Sequence, residues 1–94
     1  QYQISEDGKE LTILLPYEVG GKYDLENSDP ESFVLKESRE NGDTYLFVFS
    51  HEGTNTEKMK LTFSLMLGDA VISIKDYSVT VSFKEDGRIS AVGG

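Results

Sequence analysis

The sequence predicts an all-β domain, an antiparallel β-sandwich of about 7–8 strands. Apolar and polar residues alternate through most of the chain, as in Leu61-Thr62-Phe63-Ser64-Leu65 and Tyr77-Ser78-Val79-Thr80-Val81. That period of two marks strands with one buried face. Turn-forming pairs separate the runs, at Asp7-Gly8, Asn41-Gly42, Gly68-Asp69 and Asp86-Gly87. No window sustains the i, i+3, i+4, i+7 spacing of an amphipathic helix. Because the turns are mostly tight hairpins, a small up-and-down β-barrel is the alternative.

Taken in order, Gln1–Ser5 alternates with Tyr2 and Ile4 on one face, and Asp7-Gly8 turns the chain into Glu10–Leu15. Leu11, Ile13 and Leu15 share a face there, and Leu14 makes the other face apolar too. Pro16, with no amide hydrogen for a ladder, stops the strand. Tyr17–Gly21 is an acidic bend ending in two glycines, followed by a short strand Lys22–Glu26 with Tyr23 and Leu25 on one face. Asn27-Ser28-Asp29-Pro30 is a turn, and Ser32–Ser38 a strand. Asn41-Gly42 leads into Thr44–Ser50, apolar on both faces: Tyr45, Phe47 and Phe49 on one, Leu46 and Val48 on the other. Such a strand is expected to be central and covered on each side. Lys58–Leu67 follows a polar connection, then Val71–Ile74 and Tyr77–Lys84, as two strands or one bent one. Asp86-Gly87 turns into a last strand, Arg88–Val92, and no internal repeat is evident.

A length of 94 residues predicts one domain spanning 1–94, since separate cores need about 100 residues each. Nine basic against 17 acidic residues leave −8, which argues against nucleic acid and against an anionic membrane surface. With no cysteine, disulfides, thiol catalysis and thiolate zinc sites drop out. No apolar run reaches the roughly 18 residues of a membrane-spanning helix, so no membrane insertion is expected. The chain begins at Gln1, inside a strand pattern, and reads as a processed mature chain or a domain of a larger exported protein. The expected location is therefore secreted, cell-surface or periplasmic.

Little in the sequence carries chemistry. The lone histidine, His51, follows Ser50, but neighbours on a strand face opposite ways and no third group orients the pair. His51 is expected to be an exposed strand-end residue and the chain not an enzyme. Asp24, Glu26, Asp29 and Glu31 place four carboxylates near a proline turn, yet lack the spaced ladder of an EF-hand calcium loop. No cofactor or metal is expected. In a barrel, Phe33, Phe47, Phe63 and Phe83 would line an apolar cavity; at this length they are expected to fill a core.

The order of segments is familiar. Gly8-Lys9-Glu10-Leu11-Thr12-Ile13-Leu14-Leu15-Pro16, a loop ending in glycine before an aromatic, the run Thr44–Met66 with Phe-x-Phe-x-x-x-Gly-Thr at Phe47–Thr54, and Asp76–Val81 together resemble the chagasin-like inhibitors of papain-type cysteine peptidases. The resemblance spans roughly residues 8 to 83. It implies an immunoglobulin-like sandwich whose three loops at one end wedge into a protease cleft. Gly21 matches the glycine of the family's first loop, and Tyr23 and Leu25 its aromatic pair with Lys22 inserted; the loop's threonines are absent. Gly42 matches the second loop, and Met66–Ala70 stands where the third carries Arg-Pro-Trp. The implied partner-binding residues are Tyr17, Glu18, Val19, Gly20, Gly21, Asn41, Gly42, Met66, Leu67, Gly68 and Asp69. The expected function is a non-enzymatic extracytoplasmic protein-binding domain, with a papain-like cysteine peptidase as the partner the resemblance names and contact loops of its own. The alternative is a structural module of a larger surface protein with no site of its own.

Overall fold

The computed structural model describes residues 1–53, 57–69 and 73–94. It has eight strands: β1 (Tyr2–Ile4), β2 (Glu10–Pro16), β3 (Gly21–Asn27), β4 (Phe33–Asn41), β5 (Thr44–His51), β6 (Lys58–Leu67), β7 (Lys75–Phe83) and β8 (Ile89–Gly93). They form two four-stranded antiparallel sheets, ordered β1-β2-β5-β4 (sheet A) and β3-β6-β7-β8 (sheet B). The first seven strands reproduce the two-sheet order of a constant-type immunoglobulin domain, and β8 adds an edge strand to the second sheet. The chain crosses between sheets three times, after β2, β3 and β5, so the fold is an open sandwich rather than a closed barrel.

The alternating positions meet in one core. Leu11, Ile13 and Leu15 of β2, Phe33 of β4, and Phe47 and Phe49 of β5 face Met59, Leu61, Phe63, Val79, Val81 and Ile89 of sheet B. Phe63 sits 4.7 Å from Phe47 and 6.3 Å from Phe49, centroid to centroid, and Phe33 lies 5.6 Å from Phe83. These rings are the joint between the sheets and leave no barrel lumen. Each buries on the order of 150–250 Å² and gains from edge-on contact.

Three sequence expectations need correction. Pro16 ends β2 within the ladder, opposite Thr44, instead of just beyond it. β4 runs on to Asn41, because a bulge between Leu35 and Glu37 resets its register against β5. Leu35 and Ser38 thus both stand opposite inward-facing residues, Phe49 and Phe47, while staying exposed on this edge strand, a shift that strict alternation misses. The third correction concerns β5, which is central, but among the described strands only its inner face is packed against the other sheet. The expected strand at Val71–Ile74 and the Thr54 position of the glycine-threonine pattern fall mainly outside the described residues; Ile74 itself precedes β7.

His51 also departs from expectation. It is buried, 3% exposed, at the inward end of β5. Its ring stacks on Phe83 at 3.9 Å, and Nδ1 lies 2.7 Å from the Gly87 carbonyl, which fixes the proton on Nδ1. Its backbone N–H donates to the Lys9 carbonyl at 2.8 Å. His51 thereby ties the β1–β2 turn to the β7–β8 turn. These turns are twins, Glu6-Asp7-Gly8-Lys9 and Glu85-Asp86-Gly87-Arg88. In each, the glycine N–H bonds three residues back, to Ser5 or Lys84, and the aspartate Oδ1 accepts the N–H two residues on. The Ile89 N–H donates to the Gly8 carbonyl at 2.8 Å, locking one turn onto the other.

Candidate functional site

In this strand order, the β2–β3, β4–β5 and β6–β7 connections emerge at one end of the sandwich, opposite the twin turns. Main-chain hydrogen bonds join them. The Tyr17 N–H donates to the Asp43 carbonyl at 3.0 Å, and the Gly68 N–H to the Gly20 carbonyl at 3.2 Å. Tyr17, Glu18, Val19, Gly20, Gly21, Asn41, Gly42, Leu67, Gly68 and Asp69, scattered in sequence, therefore share one end. Met66 stands beside them but is buried, opposite Lys22 in the β3–β6 ladder. Ala70 lies outside the described residues.

The first loop is a tight turn. The Gly21 N–H donates to the Glu18 carbonyl at 2.8 Å, and Gly20 takes φ +85°, the left-handed conformation needed at the third position of such a turn. Gly21 is required for space instead: a Cβ there would stand 2.9 Å from the Glu18 carbonyl oxygen. Held at the apex, Val19 is 94% exposed. Leu67 (37%), at the end of β6, and Ile74 (51%), just before β7, are exposed aliphatics on the two sides of the third loop.

Beneath the apex lies a tyrosine cluster that the sequence reading did not assemble. Tyr45 contacts Tyr17 at 5.9 Å and Tyr23 at 6.0 Å, and Tyr23 reaches Tyr77 at 6.3 Å. The Tyr23 hydroxyl donates to the Pro16 carbonyl at 2.5 Å. Burial, with the Tyr77 and Glu18 charges adding, pushes its pKa up to about 12. A hydrogen bond with Glu40, with desolvation adding, raises that of Tyr17. Both phenols thus stay neutral donors at ordinary pH and pin the loop to β2 and β4. The Lys75 ammonium sits over the Tyr77 ring at 5.2 Å, and hydrogen bonds from Ser73 and Ser64 hold the Asp76 carboxyl below its usual range. The signal for this cluster was in the sequence: Tyr23, Tyr45 and Tyr77 each open the inward-facing series of their strand.

Elsewhere the surface offers less. Asp24 and Glu26 point outward from the edge strand β3, and among the described residues no three acidic or histidine side chains converge as a metal site would need. A polar depression of about 250 Å³ lined by Glu26, Asn27, Ser28, Lys60 and Thr62 lacks the apolar walls of a small-molecule pocket. Among the described residues, no helix is long and apolar enough to cross a membrane. Comparison with known proteins found no matching family model, no similar curated protein and no similar solved structure.

Proposed function

We propose that the chain is a non-enzymatic protein-binding module that engages its partner through the loop end formed by Tyr17–Gly21, Asn41–Asp43 and Leu67–Asp69. The observation that carries the reading is Val19. An aliphatic side chain 94% exposed at the apex of a pinned turn contributes nothing to the core, and Leu67, opposite Gly21 in the β3–β6 ladder, is a second exposed aliphatic at the same end. The loops are already bonded to one another, so little conformational entropy is lost when a partner closes over them.

In its finer form, the partner is a papain-type cysteine peptidase met outside the cytoplasm, as the resemblance implies. Val19 then enters the apolar part of the cleft, and the tyrosines behind it keep the wedge stiff. The bond from Gly21 to Glu18 folds the backbone back on itself at this point. A folded-back turn does not offer the extended peptide that a protease cuts. Titrating papain with the intact chain tests this form. Inhibition tighter than about 10 µM is expected, weakened at least about tenfold by Val19→Asp, with the chain recovered uncut. Unchanged papain activity at that concentration sinks the peptidase version.

A further inference from the structure

β1 ends sheet A at an edge that the described fold leaves open. Its register sets Tyr2 opposite Ile13 and Ile4 opposite Leu11, so both side chains stand on the inward face. They are nonetheless 41% and 42% exposed, while the Leu11 and Ile13 beside them are fully buried. The main chain of the same two residues is open as well. Gln1 and Leu14 exchange both hydrogen bonds, at 3.0 and 3.3 Å, and the Ser5 N–H donates to the Glu10 carbonyl at 3.0 Å. Bonded pairs alternate with non-bonded ones along an antiparallel ladder. Gln1, Gln3 and Ser5 therefore commit their amides and carbonyls to β2, and Tyr2 and Ile4 turn theirs outward.

β8 lies across from β1 on the same flank. The Ile89 N–H meets the Gly8 carbonyl at one end, and at the other a Cβ on Gly94 would lie 3.7 Å from the Tyr2 hydroxyl. Between these points the two strands belong to different sheets and share no ladder. The flank is thus a slot, with Tyr2 and Ile4 on one wall and the partly buried Val92 on the other. The opposite flank differs. There β3 carries Lys22, Asp24 and Glu26, and β4 has a bulge at Lys36 followed by Glu37 and Arg39. Charges and bulges keep foreign strands off an edge, and β1 and β8 have no charged residue at all.

We propose that this edge receives an extended segment of a basic partner protein, paired with β1 as a fifth strand of sheet A. An extended chain is the occupant whose form matches what is free. Tyr2 and Ile4 each offer an N–H and a C=O, two residues apart, and a neighbouring strand meets both in register. Every second side chain of that segment then turns inward, covers Tyr2 and Ile4, and approaches Val92. Charge selects the source. The chain carries −8, which repels a second copy and draws a segment flanked by Lys or Arg. The site is separate from the loop end and does not depend on the role given to Val19.

Amide NMR titration of the intact chain tests the assignment. The probe is a synthetic peptide of alternating Val and Thr with Lys at both ends, compared with the same peptide ending in Glu. Ile4→Pro removes an outward N–H and no bond to β2, as an edge position allows. Ile4→Lys adds a charge there and leaves the backbone alone, which covers the case of a proline that disturbs β1. The Lys-ended peptide is expected to bind with a Kd below about 1 mM and to slow hydrogen exchange of the Tyr2 and Ile4 amides at least about tenfold. Both Ile4 variants are expected to weaken binding at least about tenfold. Leu35→Lys, on the opposite edge, and Val19→Asp are expected to leave it unchanged. No binding at about 1 mM overturns the proposal. So does binding that leaves Tyr2 and Ile4 unprotected, that survives both Ile4 variants, or that is equally tight for the Glu-ended peptide.

Discussion

His51 holds three segments together with two different atoms. Its main-chain N–H takes the Lys9 carbonyl, and its imidazole Nδ1–H takes the Gly87 carbonyl, while the flat ring fills the space against Phe83. Nε2 is buried with no partner among the described residues. The residue is therefore both a hydrogen-bond donor and a packing element. His51→Phe separates the two roles, because it keeps a ring on Phe83 and leaves the Gly87 carbonyl without its donor. A buried carbonyl so stranded costs about 1–3 kcal/mol. Urea unfolding is expected to show a lower midpoint by that amount with an unchanged m-value. An unchanged midpoint would mean that the bond to Gly87 contributes nothing.

The turns between elements are held by carboxylates as well as by backbone shape. Asp7 accepts from the Ser5 hydroxyl and the Lys9 N–H, and Asp86 from the Arg88 N–H; these bonds hold both carboxyls below their ordinary value of 3.8. A carboxyl whose pKa falls on folding adds stability above its unfolded pKa and loses it as pH falls through the folded value. The twin turns should therefore loosen together below about pH 3.8. The double variant Asp7→Asn/Asp86→Asn is expected to flatten stability against pH in that window. Denaturant titrations at a series of acid pH values measure the slope; equal slopes in both proteins would remove the turns from the acid transition. Much of the element order was legible because alternation is local: Leu61 to Leu67 states its inward face residue by residue. Asp-Gly and Asn-Gly marked the hairpins for a similar reason, since their backbone preference is short-range. The bulge near Lys36 was not legible, because it depends on how β4 fits β5. His51 was half legible. Tyr45, Phe47 and Phe49 set a parity that His51 continues, yet polarity suggested exposure, and the two carbonyls that satisfy it come from turns 42 and 36 residues away. The repeated Glu-Asp-Gly-basic sequence of those turns was the other visible clue.

At the scale of the whole molecule, the two ends and the middle carry separate loads. The twin turns clasp one end, the aromatic joint holds the sheets, and the loop end presents Val19. A domain of this length has a total stability of about 5–14 kcal/mol at roughly 0.05–0.15 kcal/mol per residue. Phe63 touches Phe47 and Phe49 across the sheet interface and is fully buried. Phe63→Ala removes a ring from that joint and is expected to cost about 3–5 kcal/mol, a large share of the total. Val19→Asp, by contrast, touches no core residue and is expected to shift stability by less than about 0.5 kcal/mol. Parallel thermal melts and papain titrations of the two variants make the comparison. The core variant should lose melting temperature, with any inhibition surviving at temperatures where it stays folded. The loop variant should lose inhibition and keep the melt. If Val19→Asp lowered the melt as far as Phe63→Ala, the apex would be part of the structural core and its exposure would no longer argue for a partner.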